Sequence, residues 1–326
     1  MICFGKPLHT FPDHALRRLR STNFALVALF AAQALFGATP AQAVELSGTL
    51  KKIKETGSIS LGFRDSSIPF SYLDDQQKPV GYAMDICYVI VEAVKNELKL
   101  DKIAIELVPV SSSTRIPLLA NGTIDLECGS TTNNPERQRQ VAFSHTHFLT
   151  ATRFISKKAN KLDLIEDLRG KSVVATSGTS NIKQLIETNA ARNLGINVIH
   201  AKDHAEAFLM VENERAVAFV MDDILLAAFA VGSKTPEAYA ISSEAFSKPE
   251  PCGIMLRKED PAFKKVVDAA TAALYRSPEG PKLYDKWFMQ KIPPKGLNLN
   301  VPIGAALRYE FANPSDSSDP DAYRVM

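Results

Sequence analysis

Short apolar strands alternate with helical repeats along this chain of 326 residues, and that alternation restricts the fold more than any single motif. Leu46 to Glu55 reads as a helix closed by Gly57, and Ile59 to Phe63 as a strand. Ile86, Val89, Ile90, Ala93 and Val94 recur at helical spacing and predict a helix from about Met84 to Leu98. Ile103, Ile105 and Leu107 alternate as a strand, and Thr123 to Leu126 reads as a buried one. A second set begins near Thr152. Strands at Arg153–Ser156, Lys171–Ala175, Asn197–His200 and Ala216–Met221 enclose helices at Ile182–Thr188 and Ala205–Asn213. Gly253 to Arg257 reads as a strand returning to the first sheet, followed by an amphipathic helix over Pro261–Leu274. Such alternation predicts an α/β protein with mostly parallel sheets. The tail after Pro293 is rich in Asn, Pro, Ser and Asp and reads as irregular and partly loose.

Residues 1–43 have the layout of a secretory signal peptide. Arg17, Arg18 and Arg20 precede a short apolar core, Phe24 to Ala38, and Ala41-Gln42-Ala43 fits the small-residue cleavage rule, with the cut expected after Ala43. The core falls short of the roughly 20 residues that a membrane-spanning helix needs. Lys6, Arg17, Arg18 and Arg20 oppose only Asp13 in this leader, so its removal takes the net charge from +2 to −1. A near-neutral chain of mixed charge carries no electrostatic footprint for nucleic acid or an anionic membrane. Cys87, Cys128 and Cys252 remain, with no metal-ligand spacing. Cys87 falls on the apolar face of its helix and reads as a buried thiol. Cys128 and Cys252 both lie near strand ends, and a disulfide between them is the pairing considered, since exported proteins meet an oxidising compartment.

The segment SSSTRIPLLANGTIDLECGSTTNNPERQRQVAFS, residues 111–144, sets Arg115, Arg137 and Arg139 and a row of hydroxyls around one short apolar strand. In open α/β sheets small ligands bind beyond the carboxyl ends of strands. Guanidinium forks pair with carboxylates, and hydroxyls fill the remaining lone pairs. The segment therefore suits a small anion, a carboxylate above all; a surface helix with scattered arginines is the plainer alternative. Arg64, Arg115, Arg137, His204 and Asp222 each follow a strand or open a helix. Asp222 suits an ammonium group or else caps the next helix, and His204 is a ligand contact, a cap or a surface residue. If its imidazole meets a ligand carboxylate, the opposite charge should raise its pKa. The loop Thr176-Ser177-Gly178-Thr179-Ser180 is a weak anion cradle or a plain N-cap. Catalytic motifs are absent from the sequence; Asp125 and Glu127 are acid–base candidates or structural carboxylates. His145 and His147 lack accompanying ligands at metal-binding spacing.

On these residues the chain resembles the periplasmic amino-acid-binding proteins of ABC importers, solute-binding family 3. The matching stretches include GFRDSSIPFSYLDDQQKPVGY, TRIPLLANGTIDLECGSTTNNPERQRQVAFS, VVATSGTS, RAVAFVMDDILLA and CGIMLRKEDP, spread from about Leu50 to Asn300. The resemblance implies a type II periplasmic binding protein fold: two α/β lobes, each a mixed sheet flanked by helices, with the ligand in the cleft between them. It places lobe one at 46–149 and 250–295, lobe two at 150–249 and a tail at 296–326. It implies an acidic amino acid as ligand. Ser130, Thr132 and Arg137 would hold its α-carboxylate, Asp222 its ammonium, and Arg64, Ser112, Arg115 and His204 its side-chain carboxylate, with Ser180 adding a hydroxyl. It further implies a periplasmic monomer without cofactor, partnered by a small-molecule ligand and a membrane permease. Two other roles stay open on the same fold, an exported dehydratase using Glu127 and a ligand sensor for a receptor. Ser144-His145-Thr146 departs from the usual Phe-Ser-Asp ending.

Overall fold

The computed structural model describes residues 46–323, and the expected leader lies outside them. The chain begins with α1 (Gly48–Thr56), β1 (Ser58–Phe63), α2 (Tyr82–Glu97), β2 (Ala104–Pro109), α3 (Arg115–Ala120), β3 (Leu126–Cys128) and β4 (Val141–Phe143). It leaves through β5 (Phe148–Thr150) into β6 (Thr152–Lys157), β7 (Ser172–Thr176), α4 (Ser180–Ala191), β8 (Asn197–Ala201), α5 (His204–Glu212), β9 (Ala218–Asp222), α6 (Asp223–Gly232) and β10 (Tyr239–Ile241). It returns through β11 (Glu250–Cys252) to β12 (Met255–Arg257), α7 (Pro261–Arg276), α8 (Glu279–Phe288) and α9 (Ala305–Ala312).

The strands form two five-stranded sheets, ordered β2-β1-β3-β12-β4 and β8-β7-β9-β6-β10. In each, the central parallel strands come from strand–helix–strand units, and a strand near the far edge runs antiparallel. The sheets are joined by the antiparallel pair β5 and β11, in which Phe148 faces Cys252. Both sheets aim the carboxyl ends of their parallel strands at the space between the two lobes, which is where such sheets leave backbone free to carry ligand contacts.

Local sequence explains the elements that carry this frame. Gly57 ends α1 at φ 71°, donating its N–H to Ile53 O, a left-handed closure that glycine adopts without strain. Ile86, Ile90 and Val94, spaced by one helical turn, are buried on α2. Asp260 caps α7 by accepting from Phe263 N, with Pro261 at the first helical position. Thr123 and Ile124 belong to the approach rather than to the strand, which starts at Leu126, because the backbone N–H of Ile124 turns back to Leu118 O.

Two expectations are corrected. The disulfide joins Cys87 to Cys128, not Cys128 to Cys252. The buried face of α2 packs against β3 and brings the two Cα atoms to 6.2 Å, inside the usual bridging range. Cys252 is a buried free thiol whose Sγ lies 3.8 Å from Ser130 O. The tail is also ordered. Leu307 and Phe311 sit one turn apart on α9 and are buried, and the Phe311 ring stacks on Tyr275 at 4.8 Å. Beyond α9, Ser315 O accepts from Thr146 N at 2.8 Å and Tyr323 OH lies 2.9 Å from Thr146 Oγ1. Two apolar residues one turn apart and the anchored Tyr323 thus outweigh a composition that reads as loose.

Candidate ligand-binding site

The nine residues expected at the site meet at the cleft. From lobe one, Arg64 follows β1, Ser112 precedes α3, Arg115 opens α3, Ser130 and Thr132 follow β3, and Arg137 sits in the 3-10 turn Arg137–Arg139. From lobe two, Ser180 opens α4, His204 opens α5 and Asp222 ends β9. Apart from Arg64 they line one small, nearly closed space, with Thr179, Asn181 and Met221 completing its walls; Arg64 stands just behind, against Ser112 and His204. All but Ser180 are buried, including the guanidinium groups of Arg64, Arg115 and Arg137. Arg139, the remaining arginine of the sequence segment, is outside this space.

Three guanidinium groups taken out of water together are the dominant electrostatic fact of the cleft. Burial and the neighbouring charge of Arg115 push Arg64 down to about 9 and Arg137 down to about 10. Both stay charged near neutrality. Arg64 donates to Ser112 Oγ at 2.8 Å, and Arg137 donates to Thr132 O at 2.8 Å. Arg64 Nη1 and Arg115 Nε nevertheless have no hydrogen-bond partner among the described residues. A buried donor without an acceptor is costly.

The protein's own groups act against a charged imidazole at His204. Burial, then Arg64 and Arg115, hold it well below its ordinary value, and a carboxylate placed beside it would act in the opposite direction. A guanidinium can only donate, so Nε2 accepts the 3.4 Å contact from Arg64, which leaves the proton on Nδ1, 2.8 Å from Thr176 Oγ1. His204 is not the cap of α5. Asp203 is, accepting from Glu206 N at 2.8 Å. Asp222 stands at the N-cap position of α6 but its side chain makes no capping bond. It accepts from Asn181 Nδ2 at 2.8 Å, while Asp223 accepts from Ile224 N. Burial raises Asp222 to about 7 despite the Asn181 bond.

Sequence reasoning missed Asn181, which ties Asp222 to Thr152, and Thr131, which accepts from Arg115 and donates to Glu127 at 2.6 Å. An Asn following the Ser of a helix-opening loop was the available signal for the first. The two histidines once weighed as metal ligands part company. His145 Nδ1 lies 3.0 Å from Thr271 Oγ1, whereas His147 is packed against the Phe70 and Tyr82 rings and pushed down to about 3 by burial. The loop before α4 is a true N-cap, with Thr179 Oγ1 accepting from Ile182 N.

The lobes touch across the cleft. Thr132 Oγ1 is 3.2 Å from Ser180 Oγ, and Lys183 pairs with Glu136 at the mouth. At Gly178 the backbones come close: with φ at +79°, an added Cβ would lie 2.7 Å from Ser113 Cα and 2.8 Å from Ser112 C. Backbone cannot yield as a flexible side chain would. Gly178→Val is therefore expected to hold the lobes apart and to weaken ligand binding by about tenfold or more, an energy of at least ~1.4 kcal/mol. Calorimetry together with the scattering-derived radius of gyration in saturating ligand checks this; normal affinity with a normal contraction contradicts it.

Comparison with known proteins agrees with this architecture. Residues 59–290 match the family model described as bacterial extracellular solute-binding proteins, family 3. The chain is 52% identical over 280 residues to the L-glutamate/L-aspartate-binding protein of Pseudomonas aeruginosa, covering 86% of this chain and 92% of that protein. It is 44% identical over 301 residues to the glutamate/aspartate import solute-binding protein of Escherichia coli, covering 92% and 99%. Among solved structures, a mutant of ArgBP from T. maritima superposes with a TM-score of 0.65 at 26% identity, over 73% of this chain and 98% of that one. Two α/β lobes around a polar cleft, and sequence identity along nearly the whole described chain, give one conclusion: this chain belongs to the bacterial extracellular solute-binding proteins, family 3.

Proposed function

We propose that this chain captures L-glutamate or L-aspartate between its lobes and delivers it to an ABC importer. The observation that carries this reading is the pairing of opposite charges across one small space, three buried guanidinium groups on one lobe and the Asp222 carboxylate on the other. An acidic amino acid has two carboxylates and one ammonium, and this distribution answers each. Ser130, Thr132 and Arg137 hold the α-carboxylate, with Ser180 adding a hydroxyl from the second lobe. Asp222 takes the ammonium. Arg64, Ser112, Arg115 and His204 receive the side-chain carboxylate. A glutamine amide would leave guanidinium charge unpaired and buried, a penalty on the order of 3–5 kcal/mol when a buried pair loses one partner.

The importer role rests on the two relatives named above and on the secretory layout of residues 1–43. In this account the leader is removed after Ala43, and the protein works in the periplasm as a monomer. Lobe one comprises 46–149 and 250–295, and lobe two 150–249. Ligand contacts from both lobes favour the closed state that a permease would receive. The dehydratase alternative needs a poised acid, and Glu127 is instead engaged by Thr131 and Arg115. Mass spectrometry of small molecules released by denaturing protein purified without refolding tests the reading. Glutamate or aspartate near one per chain is expected; a neutral or basic amino acid in its place overturns it.

A further inference from the structure

Glu127 is fully buried on β3 and contributes no group to the walls of the ligand space. Strand alternation sends it to the face opposite Cys128, toward the arginines. Its Oε2 accepts from Thr131 Oγ1 at 2.6 Å, and Thr131 Oγ1 in turn accepts from Arg115 Nη1. Its Oε1 lies 3.7 Å from Arg115 Nη1 and has no hydrogen-bond partner. The missing side chain of Gly129 makes room for this carboxylate: a Cβ there would collide with Glu127 Oε1 and lie 3.2 Å from Arg64 Cγ. Glu127 thus lies against the Arg115 guanidinium and close to the Arg64 side chain, outside the walls of the ligand space.

We propose that Glu127 is a positioning residue that serves as the internal counter-ion of Arg64 and Arg115, holding the arginine pair together in the empty cleft and setting how strongly the site prefers a charged ligand side chain over a neutral one. The inference rests on the acidic-ligand reading above. With His204 neutral, Arg64, Arg115, Arg137, Glu127 and Asp222 sum to one positive charge when Asp222 is ionised. An acidic amino acid carries one net negative charge, so the occupied cleft is neutral. The attraction of Glu127 supports the charged state of Arg64 against burial and the repulsion of Arg115. The same carboxylate also repels the incoming side-chain carboxylate. Glu127 therefore stabilises the empty state and limits affinity for the acid, while leaving affinity for the amide nearly untouched.

Glu127→Gln keeps the shape and an acceptor for Thr131 while removing the charge. Its affinity ratio for L-glutamate over L-glutamine is expected to rise by about tenfold or more, a charge effect at this range in a site of intermediate dielectric. The empty variant should melt lower than wild type and gain more on adding L-glutamate. A ratio unchanged within about twofold, or both affinities falling together, means a merely structural role and overturns the proposal. If wild type itself fails to bind L-glutamate, the acidic-ligand reading fails and this inference falls with it. Should the variant not fold when empty, refolding in saturating L-glutamate or L-glutamine decides. Rescue by the acid alone is the expected result, because only its side chain replaces the missing negative charge; rescue by both, or by neither, overturns the proposal.

Discussion

Asp222→Asn is expected to weaken L-glutamate binding about a hundredfold or more while making the empty protein more stable at pH 8. The two effects have one cause. With the lobes in contact, burial holds the Asp222 carboxyl at about 7, above the roughly 3.9 of an unfolded chain. The stability that the protonated group permits is fully present below about pH 4 and is lost as pH rises through about 7. Above that the ionised, buried carboxylate is a penalty of a few kcal/mol, at about 1.4 kcal/mol per pH unit of displacement. Asparagine removes the penalty and still accepts from Asn181. Binding moves the other way, because the ligand ammonium would lose its only opposite charge in the cleft wall, and truncating one member of a buried charge pair costs about 2–5 kcal/mol.

The same residue fixes the pH dependence of affinity. Pairing with the ammonium pulls Asp222 below its empty-state value, so binding releases a proton wherever the empty site is still protonated. Affinity should be flat above about pH 7 and fall below it, by at most about tenfold per pH unit. Glu250 and Asp223 add to the upward displacement of Asp222, and Arg137 opposes it. Denaturation of the empty variant at pH 4 and pH 8, with calorimetry across pH 5.5 to 8.5, checks both halves. A variant no more stable than wild type at pH 8, or one that keeps the affinity slope, contradicts the assignment.

The Cys87–Cys128 bond is expected to contribute about 4 kcal/mol to stability, the loop-closure value for a sequence separation of 41 residues. The double replacement Cys87→Ala, Cys128→Ala should show most of that loss in chemical denaturation. Cys252→Ala removes only a small buried thiol and should lose on the order of 1 kcal/mol. The bond anchors α2 to the strand that ends at Cys128, immediately before the Gly129-Ser130 turn into the cleft. Non-reducing peptide mapping settles the pairing: peptides holding Cys87 and Cys128 should migrate joined, and a Cys128–Cys252 peptide would contradict the structure.

The cleft was legible in the sequence because its chemistry is placed by topology. Arg64 and Ser130 come just after short apolar strands, Asp222 ends one, and Arg115, Ser180 and His204 open helices. In an α/β lobe those positions converge whatever the surrounding details. What depends on distance between remote residues was not legible. Cys87 and Cys252 are both apolar-context cysteines, and only the packing of α2 on β3 selects between them. The lowered pKa of His204 comes from burial and then from Arg64, which lies 140 residues away in sequence. Thr131 reads as one hydroxyl in a row of them until Glu127 and Arg115 are seen on either side. The tail hid Leu307, Phe311 and Tyr323 among polar residues, and composition does not register that those three find a surface to cover.

Titration calorimetry on the chain stripped of ligand by unfolding and refolding tests the central claim most directly. L-glutamate, L-aspartate and L-glutamine are added in turn at pH 7.5. The account predicts tight binding of the two acids and binding of glutamine weaker by about a hundredfold or more, the discrimination expected when buried guanidinium groups lose their partner. Glutamine bound as tightly as glutamate, or no binding of either acid, would contradict it.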